Sequence, residues 1–333
     1  MTGILAALAQ SSARYPLSLD LARDAILFLG MDEADYRASA FLDERIASKD
    51  KSGEWTSVAN VELALANERS VRPLHFIFHA GHVGSTLLSR LIDETDKVLP
   101  LREPMPLRTI AEAYDRGVPN LDLRLETLLR LWERGFDGNE AVVLKPTSAT
   151  ERLAPKLLTM RPEARAVMLN VSAESYLATM LAAPNSAIDL NAHGPERMHR
   201  LGKMKISVQR PTSLYELAAM SWLAETLTQE KMRHVVGSRA MAVDFDAMLQ
   251  SLETTLDRVL AHFGIGCDAA AVAAIAQGPA LARYSKAPEH EYSPTLRADL
   301  LNEARSRYPE EIRAGLRWLE KLAATHPAAA AIL

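Results

Sequence analysis

The sequence predicts an α/β fold with a mainly parallel sheet, and three observations carry that expectation. Apolar runs of strand length at 74–79, 97–104, 141–146, 165–170 and 240–245 alternate with segments of helical spacing. Strands separated by helices in this way pair in parallel through right-handed crossovers. The 333 residues are 48% hydrophobic and 24% charged, enough apolar mass for a large core between layers of helices.

Taken in order, residues 1 to about 70 read as a helical N-terminal extension (1–70) to a main unit over 71–333. Its apolar patches are Leu19, Leu21, Ala22, Ala25, Ile26 and Leu27, then Val61, Leu63, Ala64 and Leu65. Trp55 between them reads as a core anchor. After the first strand, Thr86, Leu87, Leu88, Leu91 and Ile92 take up helical spacing. Glu103 stands before Pro104, which holds it out of helical geometry and places it at the end of the second strand. Helices are expected over 107–114 and 121–132, and Lys145 closes the third strand ahead of Pro146. Ser148 and Glu151 have capping-box spacing for a helix running towards Met160. Strand 165–170 leads into a helix over 172–183. Residues 185–211 show little periodicity and hold Arg197, His199, Arg200, Lys203, Lys205 and Arg210. That density suits either a basic lid over an anionic ligand or a solvated loop face. A long amphipathic helix over 214–232, the fifth strand, a helix over 246–263 closing at Gly264, a turn-rich loop over 280–295 and a C-terminal helix with Ile312, Leu316, Leu319 and Leu322 on one face complete the order.

Lys and Arg number 38 against 42 Asp and Glu, a net charge of −4 with pI about 6.2, which argues against a general nucleic-acid binder. Cys267 is the single cysteine, so an intrachain disulfide is impossible, a cysteine-based zinc site is disfavoured, and packing is its expected role. No metal is expected. The opening residues lack a basic stretch followed by a long apolar core, and no later segment has membrane-spanning length. The expectation is a cytoplasmic protein with no membrane partner.

The densest chemistry lies in Gly81-His82-Val83-Gly84-Ser85-Thr86-Leu87, between the first strand and its helix. The unpaired N–H groups of a helix's first turn, with the positive end of its dipole, face such a loop and favour phosphate or sulfate. Ser85 and Thr86 add hydroxyl donors, and the glycines let an anion approach the backbone. Ser85 occupies the place where a Walker motif requires lysine, which disfavours magnesium-ATP chemistry.

This loop resembles the 5′-phosphosulfate loop of PAPS-dependent sulfotransferases, in which a basic residue, here His82, precedes x-Gly-Ser/Thr-Thr and a leucine-rich helix. The resemblance extends from Leu74 to about Trp318 and is closest to the bacterial and tyrosylprotein branches. It implies a P-loop NTPase-like three-layer fold, PAPS as donor with PAP as the nucleotide left after transfer, and a small-molecule or peptide acceptor. It further implies Glu103 as general base and Lys145, Ser285 and His82 as groups around the transferred sulfuryl, with Lys286 beside Ser285. The stretch Met241 to Asp246, with the helix to Phe263, matches a packing signature of the family. The plainer readings are a solvated carboxylate beside Arg102 for Glu103, a snorkelling strand-end lysine for Lys145, a loop cap for His82 and a packed strand residue for His79.

One departure is chemical. Where the family binds the 3′-phosphate with an arginine after the fourth strand and a serine two helical turns later, this chain has Asn170 and Ala178, with Thr179 one step off. An amide cannot replace a bidentate guanidinium. Either Arg197, Arg200 or Arg210 supplies the missing charge, or the donor lacks a 3′-phosphate. The expected function is sulfuryl transfer to a hydroxyl. The alternatives are a nucleotide- or anion-binding protein of the same fold without transfer activity, and a phosphotransferase lacking the Walker lysine.

Overall fold

The computed structural model describes residue 8 and residues 11–47, 53–66, 71–283, 285 and 291–333. The N-terminal segment corrects the helical expectation. Strands β1 (Arg14–Asp20), β2 (Ala25–Gly30) and β3 (Gly53–Ser57) form an antiparallel sheet, with only the short helices α1 (Glu33–Ala38) and α2 (Val58–Leu65) between and after them. The apolar residues there obey period two: Tyr15, Leu17 and Leu19 are buried from β1, and Ile26 and Phe28 from β2. The Asp20 carboxylate accepts from the N–H groups of Ala22 and Arg23, which turns the chain at the point where helical spacing had seemed to continue. Trp55 is 45% exposed on β3, so it is not a core anchor.

The main sheet comprises β4 (Leu74–His79), β5 (Val98–Arg102), β6 (Ala141–Lys145), β7 (Ala166–Asn170) and β8 (Ala240–Asp244), in the order β5-β6-β4-β7-β8. All four pairings are parallel, as the alternating pattern requires. Both faces are covered, which is why its central strands read as unbroken apolar runs. Phe76 and Phe78 of β4 join a core shared with β1 and β2, whereas Ile77 enters the core on the opposite face.

The helices connecting these strands are α3 (Ser85–Asp93), α4 (Met105–Asp115), α5 (Leu121–Trp132), α6 (Ala154–Met160), α7 (Ala173–Ala182), α8 (Ser186–Lys203) and α9 (Leu214–Val236). After β8 come α10 (Phe245–Gln250), α11 (Leu252–Phe263), α12 (Ala269–Ala276), α13 (Pro294–Arg307), α14 (Pro309–Ala323) and α15 (Pro327–Ala330). The helix expected over 246–263 is thus two helices, divided at Ser251, whose φ of −139° and ψ of 52° are not helical. Among the described residues no helix is long and apolar enough to cross a membrane.

Two further expectations fail for the same reason, a buried charge cluster. Ser148 and Glu151 form no capping box; they lie in a 3-10 helix over Ser148–Leu153, and Glu151 is buried. Residues 186–203 are helix α8 and not a lid, because Arg197 and Arg200 turn inward onto Glu225 of α9. Arg197 Nε lies 2.9 Å from Glu225 Oε1, and Arg200 Nη1 lies 2.8 Å from Oε2. Arg200 also reaches Glu196 at 3.2 Å. Among the described residues no ion pair reaches Glu151, and burial followed by the neighbouring Glu225 charge raises its pKa well above the ordinary 4.5.

The sign of the linkage follows. Glu151 holds its proton in the folded state at pH values where the unfolded chain has released it, so its contribution to stability is complete below 4.5 and is lost as pH rises towards the folded value. Glu151→Gln copies the protonated form. We expect denaturant midpoints of the wild type to fall relative to those of the variant as pH is raised from 5 to 8; parallel pH profiles would place an ionised Glu151 in the fold.

Candidate functional site

The loop expected to bind an anion is built at the carboxyl end of β4. Three residues of the loop have positive φ: Gly81 at 89°, His82 at 56° and Gly84 at 74°. Gly84 is the N-cap residue of α3, and a Cβ there would be driven into the Phe245 ring, so glycine is required both for conformation and for space. The first turn of α3 carries Ser85 and Thr86, both buried. Thr86 is 3% exposed, and its buried Oγ1 has no hydrogen-bond partner among the described residues. A buried hydroxyl in that state costs about 1–3 kcal/mol, which points to an absent acceptor.

On one side of the loop the strand ends bring together the expected chemical groups. Lys145 Nζ, at the end of β6, lies 2.5 Å from Glu103 Oε1, with side-chain exposures of 0% and 14%. Glu103 directly follows β5 and adopts φ 57°, a left-handed conformation that costs a non-glycine residue about 1–3 kcal/mol. Its N–H donates to the Lys145 carbonyl at 2.6 Å, which helps to hold it there. Lys145 therefore does not snorkel, and Glu103 is not simply solvated.

His79 joins this pair to the loop. Its Nε2 lies 2.9 Å from the Pro146 carbonyl, which can only accept, and its Nδ1 accepts from Gly81 N at 3.1 Å. The ring thus carries its proton on Nε2. Lys145 Nζ stands 3.4 Å from the same nitrogen. His79 is a packed strand residue, as expected, and it orients both neighbours.

On the other side of the loop lies a cavity of about 520 Å³, lined by loop residues 82–87, α7, Phe245, Ser285 and α13. His82 and Ser285 are in its wall, and Ser285 is positioned by Arg90 Nε, which donates to its carbonyl at 2.8 Å. Glu103 and Lys145 are not among the residues lining it. Of the four expected catalytic groups, His82 and Ser285 line the cavity, whereas Glu103 and Lys145 pair with each other outside its wall. Lys286 lies outside the described residues.

The expected 3′-phosphate groups are placed differently. Asn170 Nδ2 donates to Thr226 Oγ1 at 2.8 Å and to Gln229 Oε1 at 3.2 Å, while its Oδ1 accepts from Val171 N at 2.9 Å. Its amide is committed to the fold, and Asn170 does not line the cavity, which corrects its assignment to a ligand. Thr179 does line the cavity, but its hydroxyl donates to the Ser175 carbonyl at 2.8 Å. Arg197 is buried against Glu225 and is corrected as well; neither Arg200 nor Arg210 lines the cavity. Among the described residues, the arginines that line it, Arg297 and Arg307, come from α13, a helix not expected from the sequence. Ser293 caps α13 ahead of Pro294, and Leu296, Leu300, Leu301 and Ala304 follow at helical spacing, a signal sufficient to find it. Arg297 Nε donates to Asp246 Oδ1 at 3.0 Å, and its guanidinium stacks 4.6 Å from the Phe245 ring centre. Among the described residues no group of three or more metal-ligating side chains occurs.

No protein-family model matches the chain. No curated protein matches it either. The chain resembles sulfotransferases of known structure. It shares 10% identity with the sulfotransferase domain from the curacin biosynthetic pathway, over 77% of this chain and 99% of that one, at a TM-score of 0.41. Mouse sulfotransferase SULT7A1 complexed with PAP shares 11% identity over 78% and 88% of the two chains at 0.43. Sulfotransferase STF9 from Mycobacterium avium shares 13% over 75% and 80%, also at 0.43.

Thr86→Val keeps the shape and removes the unpartnered hydroxyl. We expect it to raise the stability of the ligand-free protein by about 1 kcal/mol and to weaken sulfate binding several-fold. Lower stability of the ligand-free variant, measured by urea denaturation, would reveal a structural role for the hydroxyl instead.

Proposed function

We propose that the protein transfers a sulfuryl group to the hydroxyl of a small-molecule or peptide acceptor, with loop 81–87 holding the anionic end of the donor. The observation that supports this reading is the Glu103–Lys145 ion pair at the strand ends, with a strained carboxylate position, next to His79, whose Nδ1 accepts from the loop's Gly81 N–H. Sulfuryl transfer, like phosphoryl transfer, depends on in-line positioning and on donors around the moving group. In this reading the acceptor oxygen bonds to sulfur while its proton passes to Glu103. The bond from sulfur to the donor oxygen breaks, and its electron pair leaves with the departing anion. Loop N–H groups, Ser85 and Thr86 stabilise the charge that develops. Lys145, with no exposed surface, orients Glu103; His82 and Ser285 bound the anion from the cavity side. The loop fits the sulfate-bearing end of PAPS. The 3′-phosphate contact has no counterpart at Asn170, so the proposed donor is held without it.

One observation favours a second reading, an anion-binding protein of this fold without transfer activity. Glu103 and Lys145 lie outside the cavity wall, and the Lys145 ammonium is sealed. Turnover separates the two. The protein is incubated with PAPS and panels of phenols and tyrosine peptides, and acceptor sulfation is measured. Under the first reading Glu103→Gln lowers turnover about 10²- to 10⁴-fold, the range for loss of a general base, with sulfate binding retained. The same substitution strips the buried ammonium of its partner at a cost of about 3–5 kcal/mol, so Glu103→Gln/Lys145→Met serves as the folded control. Sulfate binding without sulfation of any acceptor by the wild type supports the second reading.

A further inference from the structure

We infer that the cavity beside the loop takes an amphipathic monoester, with one sulfate or phosphate group at the loop and an aryl or alkyl body laid along α13. The inference rests on the reading of loop 81–87 as an anion site and specifies the ligand that such a site would take. Three features of the cavity carry it. Its volume, about 520 Å³, is that of a small-molecule site. Its loop end offers the N-terminus of α3, a helix of nine residues, together with the buried Thr86 hydroxyl that has no partner among the described residues. The lining also holds an apolar set, Leu296, Leu300, Leu301 and Ala304 from α13 with Ala178 and Ala182 from α7.

The exposure of that wall is uneven. Leu301 and Ala304 are buried, whereas Leu300 on the same helix is 55% exposed although it faces the cavity. An apolar side chain left open beside an anion site is complementary to a ligand that is charged at one end only. Among the described residues, the charges elsewhere in the lining favour a ligand with one anionic group. Arg297 is already neutralised by Asp246, and Arg307 shares the exposed rim with the carboxylates of Glu291 and Glu303. A second phosphate would meet mixed charge there, and Asn170 is committed elsewhere.

Calorimetric titration of the intact chain tests this with 4-nitrophenyl sulfate, 4-nitrophenyl phosphate, inorganic sulfate, inorganic phosphate and PAP. The better of the two esters is expected to bind at least about tenfold more tightly than its inorganic anion, since each buried methylene-sized increment of apolar surface contributes close to fourfold. Leu300→Asp, at a position too exposed to govern folding, should abolish that gain and leave inorganic anion binding unchanged; Thr86→Val should weaken ester and anion alike. Which ester binds better identifies the head group. Esters that bind no better than the inorganic anions, or PAP that binds more tightly than either ester and is indifferent to Leu300→Asp, would overturn the inference while leaving the loop an anion site. Failure of every anion to bind would overturn both.

Discussion

An ammonium group with no exposed surface sets the terms for the whole strand-end region. Transfer of a lone charge into a protein interior costs several kcal/mol, so Lys145 needs a carboxylate at contact distance. Glu103 supplies it at 2.5 Å, from a left-handed backbone that any β-strand would avoid. The strain is tolerated because neighbouring bonds overdetermine the position. Register aligns Arg102 with Lys145, and the Glu103 N–H is bonded to the Lys145 carbonyl. Strained backbone of this kind gathers at functional positions, where a side chain must point somewhere the regular fold would not send it.

The same economy of charge runs through the rest of the molecule. Arg102 is fully buried and ties α3 to the N-terminal layer, bonding Asp93 at 2.6 Å, Ser89 at 3.0 Å and the carbonyls of Arg37 and Ser39 at 3.0 Å. Arg197 and Arg200 are drawn into Glu225. Cations that looked available to a ligand in the sequence are therefore internal struts. Among the described residues the cavity keeps the N-terminus of α3, the buried hydroxyls of Ser85, Thr86 and Ser285, Arg297 already paired with Asp246, and Arg307 with the carboxylates of Glu291 and Glu303.

This distribution of charge gives the two sides of the loop different chemical characters. The Glu103 side is ionic and rigid, braced by His79 between Pro146 and Gly81. The cavity wall combines apolar side chains of α7 and α13 with Arg297, Arg307, Glu291 and Glu303, and Phe245 lies against Gly84.

Local pattern determined the strand order of events from β4 to β8, because a two-sided sheet leaves unbroken apolar runs and its helices leave period 3.6 between them. It also determined the loop, since Gly84, Ser85 and Thr86 are legible as neighbours in the chain. Strand ends marked by proline revealed Glu103 and Lys145 in the same way. The N-terminal sheet was misread because Leu19 to Leu27 satisfies helical spacing until the Asp20 turn interrupts it. Only the tertiary structure decided where each charge went. Whether Arg197 faces a ligand or Glu225, whether Asn170 meets phosphate or Gln229, and which helix walls the cavity all depend on partners 28 to more than 100 residues away in the chain. Periodicity reports which face of an element is buried, and electrostatic pairing depends on what that face meets.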